Sequence, residues 1–107
     1  MLTFNLKKEW FDKIKSGEKT HEYREVKDYW TVRLQNWFDL REDDLRYLQY
    51  GKIIMEDYPP FLFRLGYTNE YLFARMLSLG IKDGKETDLK LDGPVYDIEF
   101  ELIKEGK

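Results

Sequence analysis

Residues 10–24 read Trp10-Phe11-Asp12-Lys13-Ile14-Lys15-Ser16-Gly17-Glu18-Lys19-Thr20-His21-Glu22-Tyr23-Arg24, and two periodicities meet inside this stretch. From Lys7 to Ser16 the spacing is helical: Trp10, Phe11 and Ile14 share one side, with Glu9 and Lys13 as an i,i+4 pair on the other. Gly17 supplies the left-handed stop. Residues 19 to 25 are too polar for a central core strand and either line a groove or stand as a half-exposed strand. Extended chain puts Thr20, Glu22 and Arg24 on one face, with Lys19 at the turn that opens it, while His21 and Tyr23 point the other way.

Upstream, residues 2 to 6 alternate with period two, which predicts a strand with Leu2, Phe4 and Leu6 buried. Downstream, Asp28 is a candidate cap for a second helix in which Trp30, Leu34, Trp37 and Phe38 form an apolar stripe. In residues 39 to 52, Asp43 or Asp44 opens a short helix carrying Leu45 and Leu48 and ended by Gly51. Pro59 and Pro60 precede a strand from Phe61 to Leu65 and a turn at Gly66. Residues 70 to 79 read locally as a helix capped by Asn69, with Leu72, Phe73, Met76 and Leu79 on one face. Turns follow at Asp83-Gly84 and Asp92-Gly93-Pro94, and the last strand, residues 95 to 103, alternates Tyr96, Ile98, Phe100 and Leu102 with acidic residues.

A chain of 107 residues suits one domain, 1–107, with a single core. Aromatic residues at 17% and charged residues at 36% describe a dense apolar interior in a charged shell rather than a disordered chain. The absence of cysteine excludes disulfides, thiolate nucleophiles and cysteine zinc sites. No apolar run reaches the roughly 20 residues that cross a bilayer. The N-terminus also lacks the blocks of a signal peptide, so the expectation is a cytoplasmic protein without a membrane partner. A net charge of −3 argues against bulk coating of nucleic acid. The charge is uneven: residues 1 to 33 hold eight Lys or Arg against six acids, a net of +2, and the remainder carries −5.

The stretch from Trp10 to Arg24 resembles the signature of ASCH domains, a helix followed by Gly-x-Lys-x-x-Glu-x-Arg, with Gly17, Lys19, Glu22 and Arg24 at the matching positions. Tyr29-Trp30 and Arg33-Leu34 resemble the Tyr-Trp-x-x-Arg-Leu continuation of bacterial and phage members, and Phe63-Arg64-x-Gly66-Tyr67 resembles their second shared block. Thr87 to Leu91 departs from those members, which place a Glu-Trp-Gly element there. The resemblance implies an α+β, mainly β fold: a small, mostly antiparallel PUA-like barrel with two or three peripheral helices. It also makes residues 71 to 82 a strand, largely apolar on both faces because both are covered.

The same resemblance implies RNA or a nucleotide-like ligand as the partner. The residue chemistry agrees, since the planar fork of Arg24 fits phosphate or a base edge, Lys19 offers a mobile charge, and Glu22 accepts from amino groups or sugar hydroxyls. The plainer alternative is a surface salt bridge between Glu22 and Arg24 or Lys19. Tyr23, Trp30 and Tyr67 are candidates for base stacking, Arg64 and Asn69 for phosphate or base contacts, and Lys7 and Lys8 for an anion at the first helix start. Replacing Arg24 or Lys19 by alanine is expected to remove ligand binding and leave folding nearly intact.

A second reading is a hydrolase acting on a nucleoside or RNA, with Lys19 and Glu22 catalytic. Lys19 stands where ASCH-type amidohydrolases of acetylated cytidine keep a key lysine. Glu22 stands where they carry threonine, and their distal glutamate has no counterpart here. A third reading is a protein-interaction module that docks through an exposed Trp30–Trp37 stripe. His21 is the only histidine and cysteine is absent, so no metal site is expected. Without a Gly-rich phosphate loop or dinucleotide fingerprint, no cofactor is expected either.

Overall fold

A computed structural model describes residues 1–54 and 56–104. The alternation at the N-terminus becomes β1 (Thr3–Leu6), with Leu2, Phe4 and Leu6 buried. Helix α1 (Lys8–Lys15) buries Phe11 and Ile14 and stops before Gly17, whose φ of +87° suits a residue without Cβ. The i,i+4 ion pair of this helix is Lys8–Asp12 (2.7 Å) rather than Glu9–Lys13, because Lys13 turns toward Glu18 beyond the helix end (3.9 Å). After β2 (His21–Glu25) come α2 (Asp28–Phe38), α3 (Glu42–Tyr47) and the short β3 (Ile53–Ile54). Then follow β4 (Phe61–Leu65), β5 (Tyr71–Asp83), a 3-10 turn (Gly84–Glu86) and β6 (Pro94–Leu102).

Two expected helix starts move. Lys27 holds the extended cap position of α2 and no side chain caps it, so Asp28 contributes only its charge to the first turn. Helix α3 begins at Glu42, and the Arg41 N–H donates to the Asp44 carboxylate (2.8 Å).

The local helical reading of residues 70 to 79 gives way to the strand that the resemblance implies for residues 71 to 82, which lie within the 13-residue strand β5. Two features explain the misleading spacing. Strand β5 is hydrogen-bonded to β4 and then β3 on one side and to β6 on the other, so its backbone is satisfied in extended form. A register shift between Met76 and Ser78 changes the parity of the strand, so Met76 and Leu79, three residues apart, both reach the core. The outer face is not covered throughout, since Tyr71, Arg75, Ile81 and Lys82 are exposed.

The sheet runs in the order β1-β4-β5-β6-β2, with β3 attached to β5. Among the described residues only the β1–β4 pair is parallel. This mixed sheet curls into a half-barrel flanked by the three helices, with β1 and β2 as its two ends. Inside lie Phe4, Phe61, Phe63 and Phe100, packed largely edge to face. Helix α2 closes the interior: Leu34 and Phe38 are buried, Trp30 stacks on Phe4 (5.2 Å between ring centres), and Trp37 donates to the Pro60 carbonyl (3.1 Å). The tryptophan stripe is thus packed against the core, with Trp30 and Trp37 each half-buried. No helix among the described residues is long and apolar enough to cross a membrane.

Candidate functional site

The two ends of the sheet face a common cleft of about 390 Å³. Strand β1 contributes Asn5 and Leu6, β2 contributes Glu22 to Glu25, and the segment after the 3-10 turn reaches across with Asp88, Leu89 and Leu91. Pairing at each end is one-sided, and this sets what the backbone presents. On β1 the Leu2 and Leu6 carbonyls accept from Leu62 and Gly66, so the alternate residue Asn5 turns its backbone groups away from β4. On β2, Thr20 and Val26 bond to β6, so Tyr23 and Glu25 turn theirs away. The cleft therefore has unpaired strand edges on both sides.

Between those edges sits the charged set predicted from the sequence. Glu22 is 4% exposed, and both Nε (2.9 Å) and Nη2 (2.6 Å) of Arg24 donate to its Oε2. The guanidinium lies against both rings of the Phe4–Trp30 stack, its carbon 4.9 Å from each ring centre. The other carboxylate oxygen, Oε1, lies 3.8 Å from Lys19 Nζ, beyond hydrogen-bond reach. Every buried side-chain oxygen among the described residues has a partner, so Oε1, which makes no hydrogen bond, opens on the cleft.

Lys19 straddles the edge of β2. Its N–H closes back on the Lys13 carbonyl (3.0 Å), which fixes the residue just past α1. Its Nζ bonds Asp88 (2.5 Å) and lies 5.0 Å and 5.4 Å from the ring centres of Tyr23 and Trp10. This position explains how Tyr23 borders the cleft although it points away from Glu22: the cleft wraps around the strand edge. Burial pushes the Glu22 carboxyl above its ordinary range, against the pull of Arg24 and Lys19. Burial also raises the Tyr23 phenol, helped by Asp97, Asp88 and Glu22.

Of the residues singled out in the sequence, Lys19, Glu22, Tyr23, Arg24 and Trp30 come together in the cleft. Arg64 stands one contact behind it, donating to the Asn5 side chain (2.8 Å) and the Gly66 carbonyl (3.0 Å). Tyr67 is 89% exposed beside Arg64, and Asn69 is exposed on the same β4–β5 turn, so neither lines the cleft. Lys8 is an exposed partner of Asp12, while its neighbour Lys7 does line the cleft.

The sequence reading missed Trp10, which looked like a core residue, and Asp88. Asp88 lies in the segment that departs from the ASCH pattern, and it is 69 positions from the lysine it holds. No local signal joins the two. The pairing of Arg24 with a buried carboxylate also changes one expectation: removing Arg24 strips the partner from Glu22 and so acts on folding as well as on the cleft. His21 lies outside the cleft, its Nδ1 2.6 Å from Asp97 Oδ1. Among the described residues no group of histidine and acidic side chains is arranged to hold a metal. Compared with protein-family models, curated proteins and solved structures, the chain matches none.

Proposed function

We propose that the cleft binds RNA or a nucleotide-like ligand, in a small ASCH-type domain whose half-barrel corresponds to a PUA-like barrel. The observation that carries this reading is the buried Glu22–Arg24 pair, with Glu22 Oε1 open to a cleft bordered by free strand edges and by the rings of Trp10, Tyr23 and Trp30. A nucleobase needs donors and acceptors in one plane and an apolar surface against its face. Free N–H and C=O groups on Asn5, Tyr23 and Glu25, with the Glu22 carboxylate, answer the first need. The aromatic rings answer the second. Lys7 and Lys19 supply positive charge for a phosphate, and the small net charge of the chain suits a site that recognises one group rather than a surface that coats a polymer.

Hydrolysis is the second reading, favoured by one contact: Lys19 stands between Glu22 Oε1 (3.8 Å) and Asp88 (2.5 Å), an arrangement that can orient a reacting lysine. In that contact Lys19 serves as a cation rather than a base, so binding is the stronger reading.

Titration of the protein with short single-stranded RNA, matched DNA and free nucleoside monophosphates, at low and near-physiological salt, tests the proposal. Saturable binding of RNA or nucleotide, weakened by Lys19→Gln, is the expected result. No binding of any of these overturns it.

A further inference from the structure

Beyond the cleft, on the far side of Lys19, the surface sinks into a second hollow of about 380 Å³. The two hollows share Trp10, Lys19, Tyr23 and Asp88, so they are neighbours with the Lys19–Asp88 ion pair on their common border. Each is near the small end of the ~300–1,000 Å³ range of ligand pockets, so each has room for one nucleotide-sized group and not for two.

The contents of the second hollow differ from those of the first. Lys13 stands there with its Nζ 4.9 Å from the Trp10 ring centre, and its nearest acid is Glu18 at 3.9 Å, a loose pair that leaves the ammonium free to turn to another anion. His21 and Tyr23, alternate residues of β2, present two rings within 16° of parallel, 6.2 Å between centres. The His21 ring is held by Asp97 on Nδ1 (2.6 Å), so this platform is fixed rather than loose. A set aromatic platform with a loosely held lysine beside it fits a stacked base and its phosphate.

We propose that the second hollow receives the nucleotide adjoining the one held in the cleft. The ligand is then a single strand of at least two nucleotides rather than a free mononucleotide, and the strand crosses the Lys19–Asp88 pair, where its linking phosphate meets Lys19 in place of Asp88. This proposal rests on the nucleotide-binding reading of the cleft and adds to it the class of ligand and the path it takes.

Equilibrium titrations of the wild-type protein with nucleoside monophosphates and the matching RNA dinucleotides test it, with His21→Ala and Lys13→Ala as variants at residues that line the second hollow and not the first cleft. The best dinucleotide should bind at least about fivefold tighter than its better mononucleotide, the weak end of what one stacked base contributes. Each variant should remove that gain and leave monophosphate affinity unchanged. Monophosphates that bind as tightly as dinucleotides overturn the two-nucleotide path while the cleft reading stands. A loss of monophosphate and dinucleotide affinity in equal measure in both variants also overturns it, because the hollows would then be one site. Failure of every nucleotide to bind removes the cleft reading and this inference with it.

Discussion

Arg24, on the β2 end of the sheet, lies over the ring of Phe4, on the β1 end, with its guanidinium carbon 4.9 Å from the ring centre. The two ends thus meet through a cation stacked on a core ring, not through strand hydrogen bonds, and the same cation neutralises the buried Glu22. Site and core share one side chain here.

Arg24→Ala leaves a buried carboxylate without its partner, a change that costs about 3–5 kcal/mol. Adding Glu22→Gln to that variant removes the stranded charge and should return much of the loss. Denaturant unfolding of both single variants and the double variant measures the coupling. If the loss in the double variant equals the sum of the two single losses, the pair is not the unit described here.

Glu22 also sets a pH dependence. With its carboxyl raised by burial, the folded chain holds a proton at pH values where the unfolded chain has released it. The contribution is fully present below the ordinary carboxylate value of about 4.3 and is lost as pH rises through the raised one, so stability from this group falls with pH across that window. Glu22→Gln should flatten the stability profile above about pH 4.3. Unfolding midpoints taken at several pH values in both proteins decide it, and parallel profiles would show that Glu22 titrates normally.

Much of this was legible along the chain because it is local. The strand at Leu2 to Leu6, the stop at Gly17 and the alternation from Tyr96 to Leu102 are short-range patterns, and Lys19, Glu22 and Arg24 fall within six residues of one another. What the sequence concealed depends on distant partners. The bulge at Met76 to Ser78 needs β6 to define it, and it imitates helical spacing by changing the parity of a strand. Trp10 reads as core from its helical stripe, yet it borders the cleft because Lys19 folds back over it. Asp88 sits in a segment whose shape is set by contacts across the 3-10 turn, invisible to any periodicity.

Those contacts centre on Gly84, whose N–H donates to the Gly93 carbonyl (2.7 Å) and whose carbonyl accepts from the Thr87 hydroxyl (2.9 Å). A Cβ at this position would stand 2.6 Å from the Leu91 carbonyl oxygen, so Gly84→Ala must displace the segment that carries Asp88. The expected cost is about 1–3 kcal/mol, seen as a lower thermal midpoint. Asp88→Asn, which weakens the hold on Lys19 without moving the loop, should cost about 1 kcal/mol or less. Both variants should bind nucleotide more tightly at low salt, because Lys19 loses its internal competitor. Abolished binding in Asp88→Asn would instead make Asp88 a ligand contact.

The three tryptophans separate the cleft from the rest of the surface. Trp10 and Trp30 line the cleft, whereas Trp37 faces a different hollow near Met1 and Thr3 and donates to the Pro60 carbonyl. A ligand stacked in the cleft should change the emission of Trp10 and Trp30 and leave that of Trp37 alone. Trp37→Phe, at the cost of about 1 kcal/mol for its hydrogen bond, should keep the whole response and show it on a smaller background. Trp10→Phe should lose part of the response while affinity changes little, because phenylalanine keeps a ring against Lys19. Disappearance of the response in Trp37→Phe, with the variant still folded, would put the ligand on the α2 side of the molecule. The Glu22–Arg24 pair would then be a structural clamp between the two ends of the sheet and not part of a binding site.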